Sequence, residues 1–242
     1  MARFISEINI PSCIVTKELI ESIEKYLHAK FFAIATTDDD KSLLEEAISI
    51  SITDSFGTER LKSITEFTQP RFSDNTTRIS ITIRRPYNSS FDHFEIDVQF
   101  DSSRMFTRAK ADYEGINSRE FVTGLLQGVL NCVGTTRTKN WLFNLPSGPE
   151  GGLWGIAIFS PAFVIPLFKS SSPLTWIPLL VVFSLYAYLF AAKRLRPYTT
   201  FDSNLADRRD KLWSWFVGGC LSFLIFSTAL AKFRDFIFRY LQ

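Results

Sequence analysis

Three long stretches in the last hundred residues carry no charged side chain, and they constrain this chain more than any other feature. Gly151 to Phe168, Leu174 to Ala192 and Leu212 to Ala231 are free of Asp, Glu, Lys, Arg and His. As helices rising about 1.5 Å per residue, each would cover roughly 27–30 Å, close to the hydrocarbon thickness of a bilayer. The alternative is a set of buried core helices, but three such runs so close together favour lipid. Trp154, Trp176, Trp213 and Trp215 lie near the run ends, where amphipathic rings prefer a headgroup region. Pro161, Pro166 and Pro178 interrupt the first two runs, which lipid-embedded helices tolerate. The expectation is a three-helix transmembrane module over 151–242, with helices at about 151–168, 174–192 and 212–231.

Basic residues set the expected orientation. The connection from Lys169 to Pro173 has one, whereas that from Lys193 to Lys211 has six: Lys193, Arg194, Arg196, Arg208, Arg209 and Lys211. The positive-inside rule places this second connection in the cytoplasm, touching anionic headgroups. The front of the chain is then cytoplasmic too, in a multi-pass protein of a cell inner membrane. The tail with Lys232, Arg234 and Arg239 would end outside, against the rule. It could instead lie in the interface through Phe233, Phe236, Ile237 and Tyr240, or the third segment could be re-entrant.

Charge divides the chain. Residues 1–140 hold 17 Lys+Arg against 20 Asp+Glu, and residues 141–242 hold 10 against 5. Neither part is basic enough to suggest nucleic acid. Glu7 interrupts the apolar start, so no cleavable signal peptide is expected. Cys13, Cys132 and Cys220 are widely spaced and form no disulfide framework, which suits a reducing compartment.

The front reads as an α+β domain over 1–136, with 137–150 as linker. Thr16 is placed to cap a helix to about Phe31, with Leu19, Ile20, Ile23 and Leu27 on one face. Strict alternation marks strands at Ile48–Ile52, Ile79–Ile83 and Phe94–Phe100, with a fourth from Arg104 to Asp112. Asp54–Gly57 and Pro86–Ser89 read as turns, and Glu59–Phe67 as a short helix. Ser118 is placed to cap a second helix with Phe121, Val122, Leu125, Leu126, Val129, Leu130 and Val133 as its stripe, stopping at Gly134. These elements assemble as an antiparallel sheet of about four strands with two helices on one face.

The best chemical constellation is His93, Glu95 and Asp97, whose i, i+2, i+4 spacing puts them on one face of a strand. Such a set suits a metal or acid–base centre. Arg78, Arg84, Arg108 and Lys110 should share that face, however, and cross-strand ion pairing then accounts for all seven. A binding surface for a charged ligand or partner is the favoured functional reading. Asp38-Asp39-Asp40 lacks calcium-loop spacing, and His28 has no ligand partner nearby in sequence. No phosphate loop, dinucleotide fingerprint or nucleophile elbow occurs. No catalytic residue, metal or cofactor is therefore assigned.

The loop Arg196-Pro-Tyr-Thr-Thr-Phe-Asp, continuing through Arg208-Arg209-Asp210-Lys211 to Trp213, resembles a pattern in uncharacterised bacterial membrane proteins. There an α+β domain precedes a membrane hairpin, and an aromatic-Asp loop with a basic run leads into a last helix. The resemblance implies a bacterial inner membrane and carries over no catalytic residue. The functional expectation is a non-enzymatic membrane protein whose cytoplasmic domain binds a ligand or partner. The alternative is an oligomeric effector or pore gated by that domain, lined by Ser160, Ser184, Ser222, Ser227 and Thr228.

Overall fold

The structure, a computed structural model, describes residues 2–32, 47–84, 93–164 and 194–215, with 182, 185–186, 188–190, 218–219 and 222. Residues 1–203 form one compact unit and 204–242 a second. The first is α+β.

Its main sheet has six antiparallel strands rather than four. In chain order they are β1 (Ala2–Asn9), β3 (Ile48–Thr53), β4 (Thr58–Leu61), β5 (Arg78–Arg84), β6 (Phe94–Asp101) and β7 (Arg108–Gly115). In space they run β1-β7-β6-β5-β3-β4. Two strands depart from the sequence expectation. β1 escapes the alternation rule because Ile5 points outward with Arg3 and Glu7. β4 and a 3-10 turn at Ile64–Glu66 replace the short helix expected over Glu59–Phe67. Thr53 and Thr58 pair across a tight turn that Asp54 closes, its carboxylate accepting from the N–H groups of Phe56 and Gly57. That closure carries the chain directly into an antiparallel return.

The three alternating strands behave as expected. Ile48, Ile50 and Ile52, then Ile79, Ile81 and Ile83, then Phe94, Ile96, Val98 and Phe100, are all buried on one face. Two helices join that core, α1 (Lys17–Phe32) and α2 (Ser118–Gly134). Thr16 caps α1, its hydroxyl accepting from Leu19 N–H at 3.2 Å. The cap of α2 is Asn117 in the left-handed region (φ 55°), while Ser118, expected there, is the buried first helical residue. Leu19, Ile20, Ile23 and Leu27 of α1 meet Val122, Leu125, Leu126 and Val129 of α2 in the same core cluster. At one end Phe31, Phe94, Tyr113 and Phe121 form an aromatic group, with Phe31 and Phe94 edge to face at 4.2 Å.

A two-stranded parallel pair closes the unit. β2 (Ile14–Val15) takes β8 (Thr200–Phe201) as its partner. The segment 196–203 is thereby sewn to the domain. Tyr198 donates to Ile10 C=O at 3.0 Å, Thr200 N–H to Cys13 C=O at 3.1 Å, and Phe72 N–H to Asp202 C=O at 3.0 Å. Asn140 and Asn144 donate their amides to the carbonyls of Pro197 and Arg196. Tyr198, Thr199, Phe201 and Ser203 are buried.

The expected transmembrane module is corrected. The third helix, α3 (Ser147–Val164), starts four residues before the first charge-free run. Its opening Ser147-Gly148-Pro149-Glu150 dilutes the apolar stretch. Among the described residues no helix is long and apolar enough to cross a membrane. The runs 174–192 and 212–231 lie largely outside the described residues, as do Asp38–Asp40 and the turn Pro86–Ser89. Among the described residues, the multi-pass inner-membrane placement therefore has no spanning helix beneath it. Within α3, Trp154 packs edge to face on Phe190 at 5.1 Å and Ala157 accepts from the Tyr186 hydroxyl at 2.9 Å, while Ile156, Ile158 and Phe159 are exposed.

Candidate functional site

With both α1 and α2 on the apolar side, the opposite face of the main sheet carries the polar half of every alternation. The register fixes who stands beside whom. Glu7, Lys110, Asp97, Thr82 and Ser49 form one row across five strands; Ile5, Asp112, Glu95 and Arg84 form the next; Asn9, Arg108, Gln99, Ser80 and Ser51 lie on the other side. All seven sequence-selected residues (Arg78, Arg84, His93, Glu95, Asp97, Arg108 and Lys110) share this face.

Sharing a face does not gather them into one centre. Glu95 accepts from Arg84 at 2.5 Å, Arg78 bonds Asp101 at 2.9 Å, and Arg108 bonds Glu7 at 3.0 Å. His93, just ahead of β6, lies 3.5 Å from Asp112. Asp97 accepts from the Thr82 hydroxyl at 3.3 Å. Each charge thus has a cross-strand neighbour, and His93, Glu95 and Asp97 face three different partners. No group of three or more His, Cys, Asp or Glu is arranged to hold a metal among the described residues.

Two carboxylates on the face are tuned in opposite directions. Arg3 holds the Asp112 carboxyl below the usual range by hydrogen bonds of 2.9 and 2.5 Å, against the cost of burial. Burial pushes Asp97 up, outweighing the Thr82 hydrogen bond and the nearby Arg108 and Lys110. Arg3, Glu7, Asp101 and Asp112 belong to the face but were not singled out from sequence. Once β1 is recognised as a strand, its period of two places Arg3 and Glu7 there.

The basic residues assigned to lipid headgroups divide between the two units. Lys193 lies outside the described residues. Arg194 is exposed, and Arg196 is half-buried with its carbonyl bound to Asn144. Arg208, Arg209 and Lys211 lie in the helical stretch 204–215 of the second unit, Arg208 and Lys211 exposed.

A cleft of about 530 Å³ opens where the 196–203 segment meets the domain, lined by Asn9, Ser102, Arg104, Asn144 and Glu150 among others. Its one cationic side chain is already engaged: Arg104 donates to Asn144 C=O at 3.1 Å and lies over the Tyr198 ring. Burial pushes the nearby Cys13 thiol up to about 12, so it is a structural cysteine rather than a nucleophile. Comparison of the chain with protein-family models, with curated proteins and with solved structures finds no match.

Proposed function

We propose that the 1–203 unit is a recognition module that docks a protein partner on the open face of its six-stranded sheet. The observation that carries this reading is a face of alternating charges, most of them held by a cross-strand ion pair or hydrogen bond and backed by a two-helix core. Side chains fixed in this way lose little entropy when a partner arrives, which is the condition for a preorganised docking surface. Both signs are interleaved: Arg3, Arg78, Arg84, Arg108 and Lys110 alternate with Glu7, Glu95, Asp97, Asp101 and Asp112. That pattern favours a protein of complementary charge over nucleic acid, which calls for a basic stripe.

Reversing Arg84 and Lys110 to Glu in the immobilised full chain tests the reading. Both residues are exposed, so the fold should survive, with a modest fall in its unfolding midpoint from the new like-charge neighbours Glu95, Asp97 and Glu7. The proteins retained by the parent chain should be lost or weakened at least tenfold. Retention indifferent to the reversal would remove the proposal. So would substrate turnover by the full chain that disappears in His93→Ala or Glu95→Gln.

A further inference from the structure

Among the described residues the outer edge of β1 has no partner strand and its sequence is self-complementary, and we infer that two copies of this chain pair antiparallel through β1 about a two-fold axis at Ile5. This does not rest on what the open face binds.

The hydrogen-bond phase of the sheet comes first. Ile10 N–H donates to Thr107 C=O at 3.3 Å, and Glu114 N–H to His93 C=O at 2.9 Å. In an antiparallel ladder, bonded and non-bonded pairs alternate. The odd residues of β7 therefore turn their backbone toward β1, and the even ones toward β6. With Asn9 opposite Arg108, the even residues of β1 are spent on β7. Arg3, Ile5 and Glu7 point their N–H and C=O groups outward. Among the described residues no strand pairs with that edge.

Edges of this length are usually guarded by charged side chains, lysine above all, by proline, a bulge or very short length; the two charges of β1, Arg3 and Glu7, are of opposite sign and so do not repel a second copy. β1 has eight residues paired to β7 in unbroken register and contains no proline or lysine. At its centre stands Ile5, 52% exposed. Only odd-to-odd alignments of two β1 strands match outward donors with acceptors. Centring on Ile5 sets Ile5 against its copy and Arg3 against Glu7 at both ends. Moving the centre by one residue either way keeps the donors matched but places a charge against Ile5 and breaks both ion pairs. Centring on Ile5 also extends existing pairs. Asp112 and Arg3 of one copy continue into Glu7 and Arg108 of the other, a row of alternating sign. The two open faces lie on the same side of one continuous sheet.

Cysteine cross-linking of the full chain reads this register directly. Bonded antiparallel pairs place Cα atoms about 5.5 Å apart, inside the range a disulfide accepts. Ile5→Cys should cross-link to itself under mild oxidation. Glu7→Cys alone should not exceed the parent chain, whose own cysteines set the baseline, yet it should cross-link when mixed with Arg3→Cys. Ile5→Pro removes an outward N–H that the fold does not use, so sedimentation should show a monomer where the parent is a dimer. If that variant unfolds, the cysteine series decides. Equal cross-linking of Ile5→Cys and Glu7→Cys, a monomeric parent chain, or a folded Ile5→Pro dimer would each overturn the inference.

Discussion

Asp112 and Asp97 stand on adjacent rows of the same face and should respond to acid in opposite senses. Asp112 is held below its ordinary value by Arg3. Its contribution to stability is therefore full above the unfolded-state value, about 3.9, and is lost as pH falls through the lower folded value. Arg3→Ala should cost about 1–2 kcal/mol near pH 7, because it strands a buried carboxylate. The cost should shrink in acid, read as converging urea midpoints of variant and parent. Asp97 is raised by burial, so its effect is stabilising below the unfolded value and is lost as pH rises through the folded one. Asp97→Asn keeps an acceptor for Thr82 and removes the half-buried charge. It should be neutral or stabilise by up to about 1 kcal/mol at pH 7, with the gain vanishing in acid. A clear loss of stability at pH 7 would mean that the ion-pair field of Arg108 and Lys110 outweighs desolvation.

Between elements, the two core helices meet where one tyrosine lies over one glycine. Tyr26 of α1 donates to the carbonyls of Gly124 and Leu125 on α2 at 3.1 and 3.3 Å. A Cβ at Gly128 would overlap its phenol ring. Elsewhere in a helix, Gly→Ala gains roughly 1 kcal/mol from propensity. Here Gly128→Ala should instead cost about 1–2 kcal/mol, the usual scale for forcing atoms into packed space. In a Tyr26→Ala background the obstruction is gone, and the same change should become neutral or favourable. A double-mutant cycle of unfolding free energies checks the reversal of sign. This contact was not legible in the sequence, since nothing local distinguishes Gly128 from Gly124, which has open space above it. The helices themselves were legible, because Thr16 and the Leu19–Leu27 stripe state a start and a buried face. So were the three alternating strands, which need only period two and a single apolar side. β1 and β4 were missed for physical reasons. Edge strands are half-solvated, so Ile5 can point outward and Thr58-Glu59-Arg60 can all be exposed without breaking any pattern.

At the scale of the whole 1–203 unit, the part least visible from sequence is the return of residues 196–203 to the strand that precedes α1. Local composition marks this stretch as part of a basic connection, and Arg194 just ahead of it is exposed. Its apolar and hydroxyl residues, however, are buried against groups far away in the chain, from 92 positions for Thr199 on Thr107 to 188 for Tyr198 on Ile10. Such a contact leaves no periodic trace. The same distance explains why the polar face was only partly assembled from sequence: Arg3 and Glu7 joined it through pairing with β7, about a hundred residues away. The clasp makes the stability of the front domain depend on residues far downstream. Tyr198 is 5% exposed and satisfies the Ile10 carbonyl, so Tyr198→Ala both opens a cavity and leaves a buried acceptor unpaired. The expected loss is about 3 kcal/mol, whereas Arg194→Ala on the exposed flank should stay within about 0.5 kcal/mol. Because the clasp reaches the core through Ile10, Val15 and Phe72, the loss should not be confined to 196–203. Hydrogen exchange in Tyr198→Ala should quicken at Thr200 and Asp202, whose amides bond across the clasp to the carbonyls of Cys13 and Val15, and also in α1, which follows β2 directly. Acceleration limited to 196–203, with α1 unchanged, would mean that the return segment lies on the domain without supporting it.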